Sequence, residues 1–229
     1  MADAGIDPPD IDAAIDAAID APAVNSLTVV RGGGGMGTIT SSPAGIDCGA
    51  TCTITVETGT LVTLTATPST GATFTGWGCE CAGSLTTCSV IVSADSVVNA
   101  DFAVALVPIE IAVAGAGTGT VASAPTGIDC PGSCSDSFEY GATVRLIATP
   151  GPNSYFMGWT GGGCTGTADC TVTTTAAASV TATFGPLFTL TAAKAGTGSG
   201  TVASGEATPL IDCGADCSEV YQGDRKSVV

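Results

Sequence analysis

Val62-Thr63-Leu64-Thr65-Ala66-Thr67-Pro68, followed by Gly71-Ala72-Thr73-Phe74-Thr75-Gly76-Trp77, decides how the whole chain reads. Val62, Leu64 and Ala66 alternate with Thr63, Thr65 and Thr67, a period of two that marks a half-buried strand with a threonine outer face. Pro68-Ser69-Thr70-Gly71 then supplies a turn. About 82 residues later the same order returns as Val144 to Pro150 and Phe156-Met157-Gly158-Trp159, and Val98-Asn99-Ala100-Asp101-Phe102 returns as Val180-Thr181-Ala182-Thr183-Phe184. Working outward, Gly45-Ile46-Asp47-Cys48-x-x-x-Cys52 recurs as Gly127-Ile128-Asp129-Cys130-x-x-x-Cys134, and a third time as Leu210-Ile211-Asp212-Cys213-x-x-x-Cys217. Shared landmarks at one spacing define a tandem repeat.

These landmarks divide the chain into an acidic Asp/Ala/Pro tether over 1–26, a first repeat over 27–107, a second over 108–186 and a truncated third over 187–223, with a tail over 224–229. No stretch after Asn25 reads as a helix. The expected fold class is all-β: tandem small β-rich units of about 82 residues, sandwich-like or of the β-grasp kind that the family resemblance given below implies, clipped by disulfides. Asp3, Asp7, Asp10, Asp12, Asp16 and Asp20 stand in the tether with no basic residue. Like charges at i,i+4 oppose a helix there, so a disordered or weakly helical segment is expected.

Composition removes whole classes of function. Charged residues are 11% of the 229-residue chain, against roughly a quarter in an ordinary soluble domain. With 21 Asp+Glu against 5 Lys+Arg the formal charge is −16, the opposite of what a nucleic-acid surface needs. There is no histidine, so the commonest general base and metal ligand is missing, and Lys194, in a strand-like segment, has no partner motif to activate a serine. Neither catalytic residues nor a cofactor site are expected, and the chain reads as a non-enzyme. The longest apolar run, Phe102 to Gly117, is broken by Pro108 and Glu110 and falls short of the roughly eighteen residues of a membrane span.

Eleven cysteines in so uncharged a chain point to an oxidising compartment. Met1-Ala2-Asp3-Ala4-Gly5 has neither the basic nor the apolar region of a signal peptide, so a leader upstream of Met1 is expected. Four cysteines per repeat allow three connectivities. Pairing inside each motif is the economical choice: Cys48 with Cys52, Cys81 with Cys88, Cys130 with Cys134, Cys164 with Cys170 and Cys213 with Cys217. Cys79 has no counterpart in the second repeat and is either a free thiol or the replacement for Cys81 in its bridge. An all-thiolate zinc site is the rival, but the spacing lacks the Cys-x-x-Cys knuckles of zinc ribbons. No metal site is expected.

Trp77 and Trp159, with Tyr155 nearby, raise the alternative of a sugar-stacking surface. Each Trp follows a Phe on a strand in the same slot of its repeat, which favours a core anchor. Asp47, Asp129 and Asp212 lack the spacing of a calcium loop and read as turn caps through Asx hydrogen bonds. Gly115-Ala116-Gly117-Thr118-Gly119 and Gly32 to Gly37 have no following helix with a Lys, so both read as hairpin turns and not as phosphate loops.

The order Val-x-Leu-x-Ala-x-Pro, Gly-x-x-Phe-x-Gly-Trp and Val-x-Ala-x-Phe, carried by Val62 to Pro68, Gly71 to Trp77 and Val98 to Phe102 and again by Val144 to Pro150, Phe156 to Trp159 and Val180 to Phe184, resembles the divergent InlB-type B-repeat. The resemblance covers nearly everything after residue 26. It implies a compact β-rich unit related to a β-grasp sheet, strung in tandem in secreted or surface-attached bacterial proteins, with no catalytic residues; the cysteines depart from the common form. The tether resembles the acidic spacers that follow the lipidated cysteine of some bacterial lipoproteins, and Asp224-Arg225-Lys226-Ser227-Val228-Val229 resembles the translation of a common sequencing adapter. The expected function is a non-enzymatic spacer or adhesin-type module at the outer cell surface or outside the cell, with further copies of the same repeat in the intact chain and a surface glycan or protein as ligand. The alternatives are a polysaccharide-binding module using exposed aromatics and the non-catalytic part of a larger secreted enzyme.

Overall fold

The computed structural model describes residues 22–49, 52–203 and 217–222. The tether before Pro22, Asp212, Cys213 and the tail over 224–229 lie outside them. The chain divides into two compact units between Ala105 and Leu106.

The first unit runs β1 (Val24–Gly32), β2 (Gly37–Ser42), β3 (Thr53–Glu57), β4 (Thr60–Pro68), β5 (Ala72–Cys79), β6 (Thr87–Val92) and β7 (Ser96–Val104). One sheet has the order β3-β1-β7-β5 and the other β2-β4-β6. All pairs are antiparallel except β1 with β7, where Leu27 to Gly32 run parallel to Ser96 to Asp101. The second unit repeats this with β8 (Leu106–Ala114), β9 (Gly119–Ala124), β10 (Asp129–Cys130), β11 (Ser135–Glu139), β12 (Thr143–Pro150), β13 (Ser154–Gly161), β14 (Cys170–Thr173) and β15 (Ala178–Thr191). Its sheets are β11-β8-β15-β13 and β10-β9-β12-β14, again with one parallel pair, β8 with β15. A last strand, β16 (Ser218–Gln222), pairs with the end of β15.

Each unit is thus a two-sheet sandwich, and no helix occurs among the described residues. Of the two expected architectures the sandwich is the one formed. Alternation explains why: both sheets carry one apolar face, and facing each other they bury both without a helix.

The two cores use the same positions. Leu27, Ile39, Val62, Leu64, Val98 and Phe102 are almost fully buried in the first unit, as are Ile109, Val121, Val144, Leu146, Val180 and Phe184 in the second. The outward positions between them are mostly threonine, such as Thr63, Thr65 and Thr67 beside buried Val62, Leu64 and Ala66.

The glycine-rich segments at Gly32 to Gly37 and Gly115 to Gly119 are not hairpin turns, contrary to expectation. β1 and β2 lie in different sheets, as do β8 and β9, so these segments cross from one sheet to the other. Their glycines are required by close approach. A Cβ at Gly33 or Gly115 would run into the carbonyl of Phe102 or Phe184, and one at Gly37 or Gly119 into the ring of that same Phe. The contact is fixed by Gly35 N–H donating to Phe102 O and Gly117 N–H donating to Phe184 O, both at 2.9 Å.

Candidate functional site

The segment that differs most from a plain sandwich is the one carrying Phe-x-Gly-Trp and the cysteines after it. Phe74 and Trp77 are three residues apart, so strict alternation would send them to opposite faces. A bulge removes the conflict: the register of β5 on β7 shifts between Phe74 and Gly76, and that of β13 on β15 between Phe156 and Gly158. Gly76 and Gly158 adopt φ values of 156° and 142° at these bulges, and a Cβ at either would press on the carbonyl of Gly83 or Gly166. Both aromatics therefore turn inward. Phe74 packs edge-on against Trp77 at 5.0 Å between centroids and against Phe102 at 5.3 Å; Phe156 lies at the same two distances from Trp159 and Phe184.

This placement removes the sugar-platform alternative for the tryptophans. Trp77 is 7% exposed and Trp159 2%, because the loop after each strand folds over the indole. The Trp77 indole N–H donates to Leu85 O at 2.8 Å and that of Trp159 to Ala168 O at 2.9 Å, while their backbone N–H groups donate to Gly83 O and Gly166 O. Tyr155 is half-buried, its ring lying over Gly185 where a Cβ would collide with it. The two buried indoles offer no stacking surface.

The covering loops are bridged, Cys81 to Cys88 and Cys164 to Cys170. Cys81 and Cys164 are buried beside the tryptophans in their respective cores. A second bridge, Cys48 to Cys52 and Cys130 to Cys134, closes the Cys-x-x-x-Cys segment that runs into β3 or β11 at the other edge of the same sheet, with Cys48 and Cys130 buried. Cys217 is also disulfide-bonded, and Cys213 lies outside the described residues. The four cysteines of each complete repeat that the zinc alternative would use are held in bridges, and no cluster of three metal-ligating side chains occurs among the described residues.

Cys79 is exposed and carries no disulfide. It ends β5 with φ 68°, in the slot that Gly161 fills in the second unit with φ 83°. The first unit thus places a side chain where the local backbone favours glycine.

The aspartates before the first cysteines do not cap turns through their side chains. Asp47 and Asp129 are exposed, and their carboxylates accept no hydrogen bond from described residues. The backbone closes the turn instead: Asp129 and Ser133 exchange two N–H···O bonds at 2.8 Å, and Thr40 pairs with Asp47 in a bridge. The turn's side-chain anchor is a serine that sequence reasoning passed over. Ser41 Oγ accepts from Ile46 N–H at 2.9 Å and donates to Pro43 O at 2.7 Å; Ser123 does the same with Ile128 and Pro125. Ser-x-Pro recurring ahead of Ile46-Asp47-Cys48 and Ile128-Asp129-Cys130 was the available signal. Thr174, fully buried, is a second residue missed: its hydroxyl lies 2.6 Å from Glu139 O and 3.1 Å from Ala142 O, in the slot filled by Val92 in the first unit.

Charged groups are isolated. Arg145 meets Asp169 at 3.4 Å in an exposed pair worth at most about 1 kcal/mol. Lys194 sits in a loop, not a strand, its Nζ 3.4 Å from Gly200 O. Asp95, fully exposed, accepts from Ser26 N–H at 2.7 Å and Ser26 Oγ at 2.9 Å, which hold its carboxyl below the usual range. Among the described residues nothing pairs a nucleophile with a base.

Comparison with known proteins gives one family. A family model described as the divergent InlB B-repeat domain matches residues 25–105 and again residues 109–186. A solved structure described as the Bacillus anthracis TIE protein is similar at a TM-score of 0.43 and 8% identity, over 87% of this chain. The chain spans 43% of that protein's length. No curated protein matches.

Proposed function

Since the chain belongs to the divergent InlB B-repeat family, with two tandem copies that build the same bridged sandwich, we propose that it is a non-enzymatic module of the bacterial surface or exterior that spaces or attaches what it is joined to. The observation that carries this is the repetition itself. Corresponding residues in the two units serve the core, the bulge, the crossover and the bridges, whereas a substrate site would distinguish one unit from the other. Disulfides suit an oxidising exterior. Threonine outer faces at low charge suit prolonged exposure to water.

The tether and the bridges extend the proposal: the acidic segment that precedes Val24, where β1 and not the tether begins, joins the repeats to a membrane lipid or to preceding sequence, and the bridges hold the sandwiches closed outside the cell. A cell-surface display experiment tests the spacing role. Residues 22–186, and a version with the second repeat deleted, are placed between a membrane anchor and an epitope, and antibody access is measured past a surface polymer of graded length. Access that falls with removal of one repeat supports a spacer. Equal access with both lengths, together with retained cell attachment, contradicts it and leaves the adhesive role.

A further inference from the structure

In each complete repeat the first and last strands are neighbours that run the same way. Leu27 to Gly32 of β1 pair with Ser96 to Asp101 of β7, and Ile109 to Ala114 of β8 pair with Ala178 to Thr183 of β15. Both strands of each pair are inner strands of their sheet, flanked by β3 and β5 or by β11 and β13. Their inward residues Leu27, Val98, Ile109 and Val180 are fully buried. Load carried along the chain enters a unit at the start of its first strand and leaves at the end of its last, which are Val24 and Val104 in the first unit; Ala105 alone then separates β7 from β8. In a parallel pair those two points lie at opposite ends of the ladder. Tension therefore slides the strands past each other and loads all the hydrogen bonds between them together. Antiparallel neighbours would take the load at one end and peel apart bond by bond.

The crossover lengthens this ladder. Just past the last pairs, Gly32 with Asp101 and Ala114 with Thr183, Gly35 N–H donates to Phe102 O and Gly117 N–H donates to Phe184 O. No covalent link bypasses it: the bridges of the first unit join Cys48 to Cys52 and Cys81 to Cys88, those of the second Cys130 to Cys134 and Cys164 to Cys170, and none spans the paired strands. We propose that the β1–β7 and β8–β15 pairs are mechanical clamps, and that each complete repeat bears tension along the chain by holding its terminal strands in shear. Rupture under load follows the unfolding barrier and not the net stability, so a thin-cored sandwich with this strand order resists stretching all the same. The use of that resistance rests on the spacing or attaching role, since a tether between a cell and what it holds is pulled at both ends. The resistance itself belongs to the folded units and is measured whatever the antibody-access experiment gives.

The test is single-molecule pulling of the full, oxidised chain in two geometries. Force is applied either between the two chain ends or between the N-terminus and a handle on exposed Ala94, in the turn before β7. The second geometry draws β1 and β7 apart from their Leu27–Ser96 end. Both measurements use the same Ala94-modified protein, so only the point where force enters differs. End-to-end pulling is expected to give two ruptures that each release about 20–25 nm of chain, the bridges withholding the residues they enclose. Both are expected at forces about twofold or more above the rupture seen through Ala94, since several bonds must yield together in one geometry and one at a time in the other. Equal forces in the two geometries overturn the proposal, as does end-to-end unfolding at the lower force or without discrete ruptures.

Discussion

Gly158 allows Phe156 and Trp159 to share one face of β13, and the core of the second unit depends on that single irregularity. Gly158→Val places a branched side chain against the Gly166 carbonyl at a φ of 142° and is expected to destabilise the unit by about 2–4 kcal/mol in denaturant unfolding. Trp159→Ala removes a side chain that is 2% exposed and is expected to cost about 3–5 kcal/mol, with no change in affinity for any polysaccharide that the folded protein retains. Cys79→Gly should be neutral or stabilising by about 1 kcal/mol, since it relieves the left-handed backbone at φ 68°. The inward Trp was legible in the repeated Phe-x-Gly-Trp. The bulge was not, because period-two reasoning assumes an unbroken ladder and Gly76 or Gly158 alone does not say which face the chain turns to. The Asx caps failed for a related reason: Asp47 and Asp129 have the right residue type, but the hydroxyls of Ser41 and Ser123 reach the turn amides first.

The strands themselves were written in the alternation of Val, Leu and Ala with Thr, and the all-β class followed from it. Which strands pair was not. The parallel contact of β1 with β7 joins residues far apart in the chain, Leu27 with Ser96 at one end and Gly32 with Asp101 at the other, and the crossover of Gly32 to Gly37 between sheets is indistinguishable in sequence from a hairpin. The bridged loops belong to this level, since Cys164–Cys170 fastens the lid over Trp159 to the start of β14. Replacing both cysteines with serine is expected to cost about 2–3 kcal/mol by the loop-closure model, seen as a lower Tm and as a redder Trp159 emission. Asp95 ties the β6–β7 turn to β1 through Ser26. Its carboxyl is held below its ordinary value, so the stabilisation is present above the ordinary carboxylate pKa of about 4 and is lost as pH falls through the lowered folded value. The Tm difference between wild type and Asp95→Asn should accordingly narrow toward zero on acidification.

Taken whole, the chain offers small residues, few charges and thin cores, and each unit compensates with two disulfides and an aromatic cluster of three rings. For a small domain whose net stability is about 5–10 kcal/mol, two bridges at about 2–3 kcal/mol each are a large share. Both units should therefore close on their own in an oxidising environment and open when reduced. Fluorescence-detected urea unfolding of the Trp77→Phe and Trp159→Phe proteins, each with one reporter, with and without reductant, measures this directly. The expected result is a blue-shifted, quencher-protected emission from either tryptophan in the oxidised protein, with each transition moving to lower urea on reduction. A native emission already at the wavelength of a solvated indole, or transitions unmoved by reductant, would contradict the bridged two-sheet core.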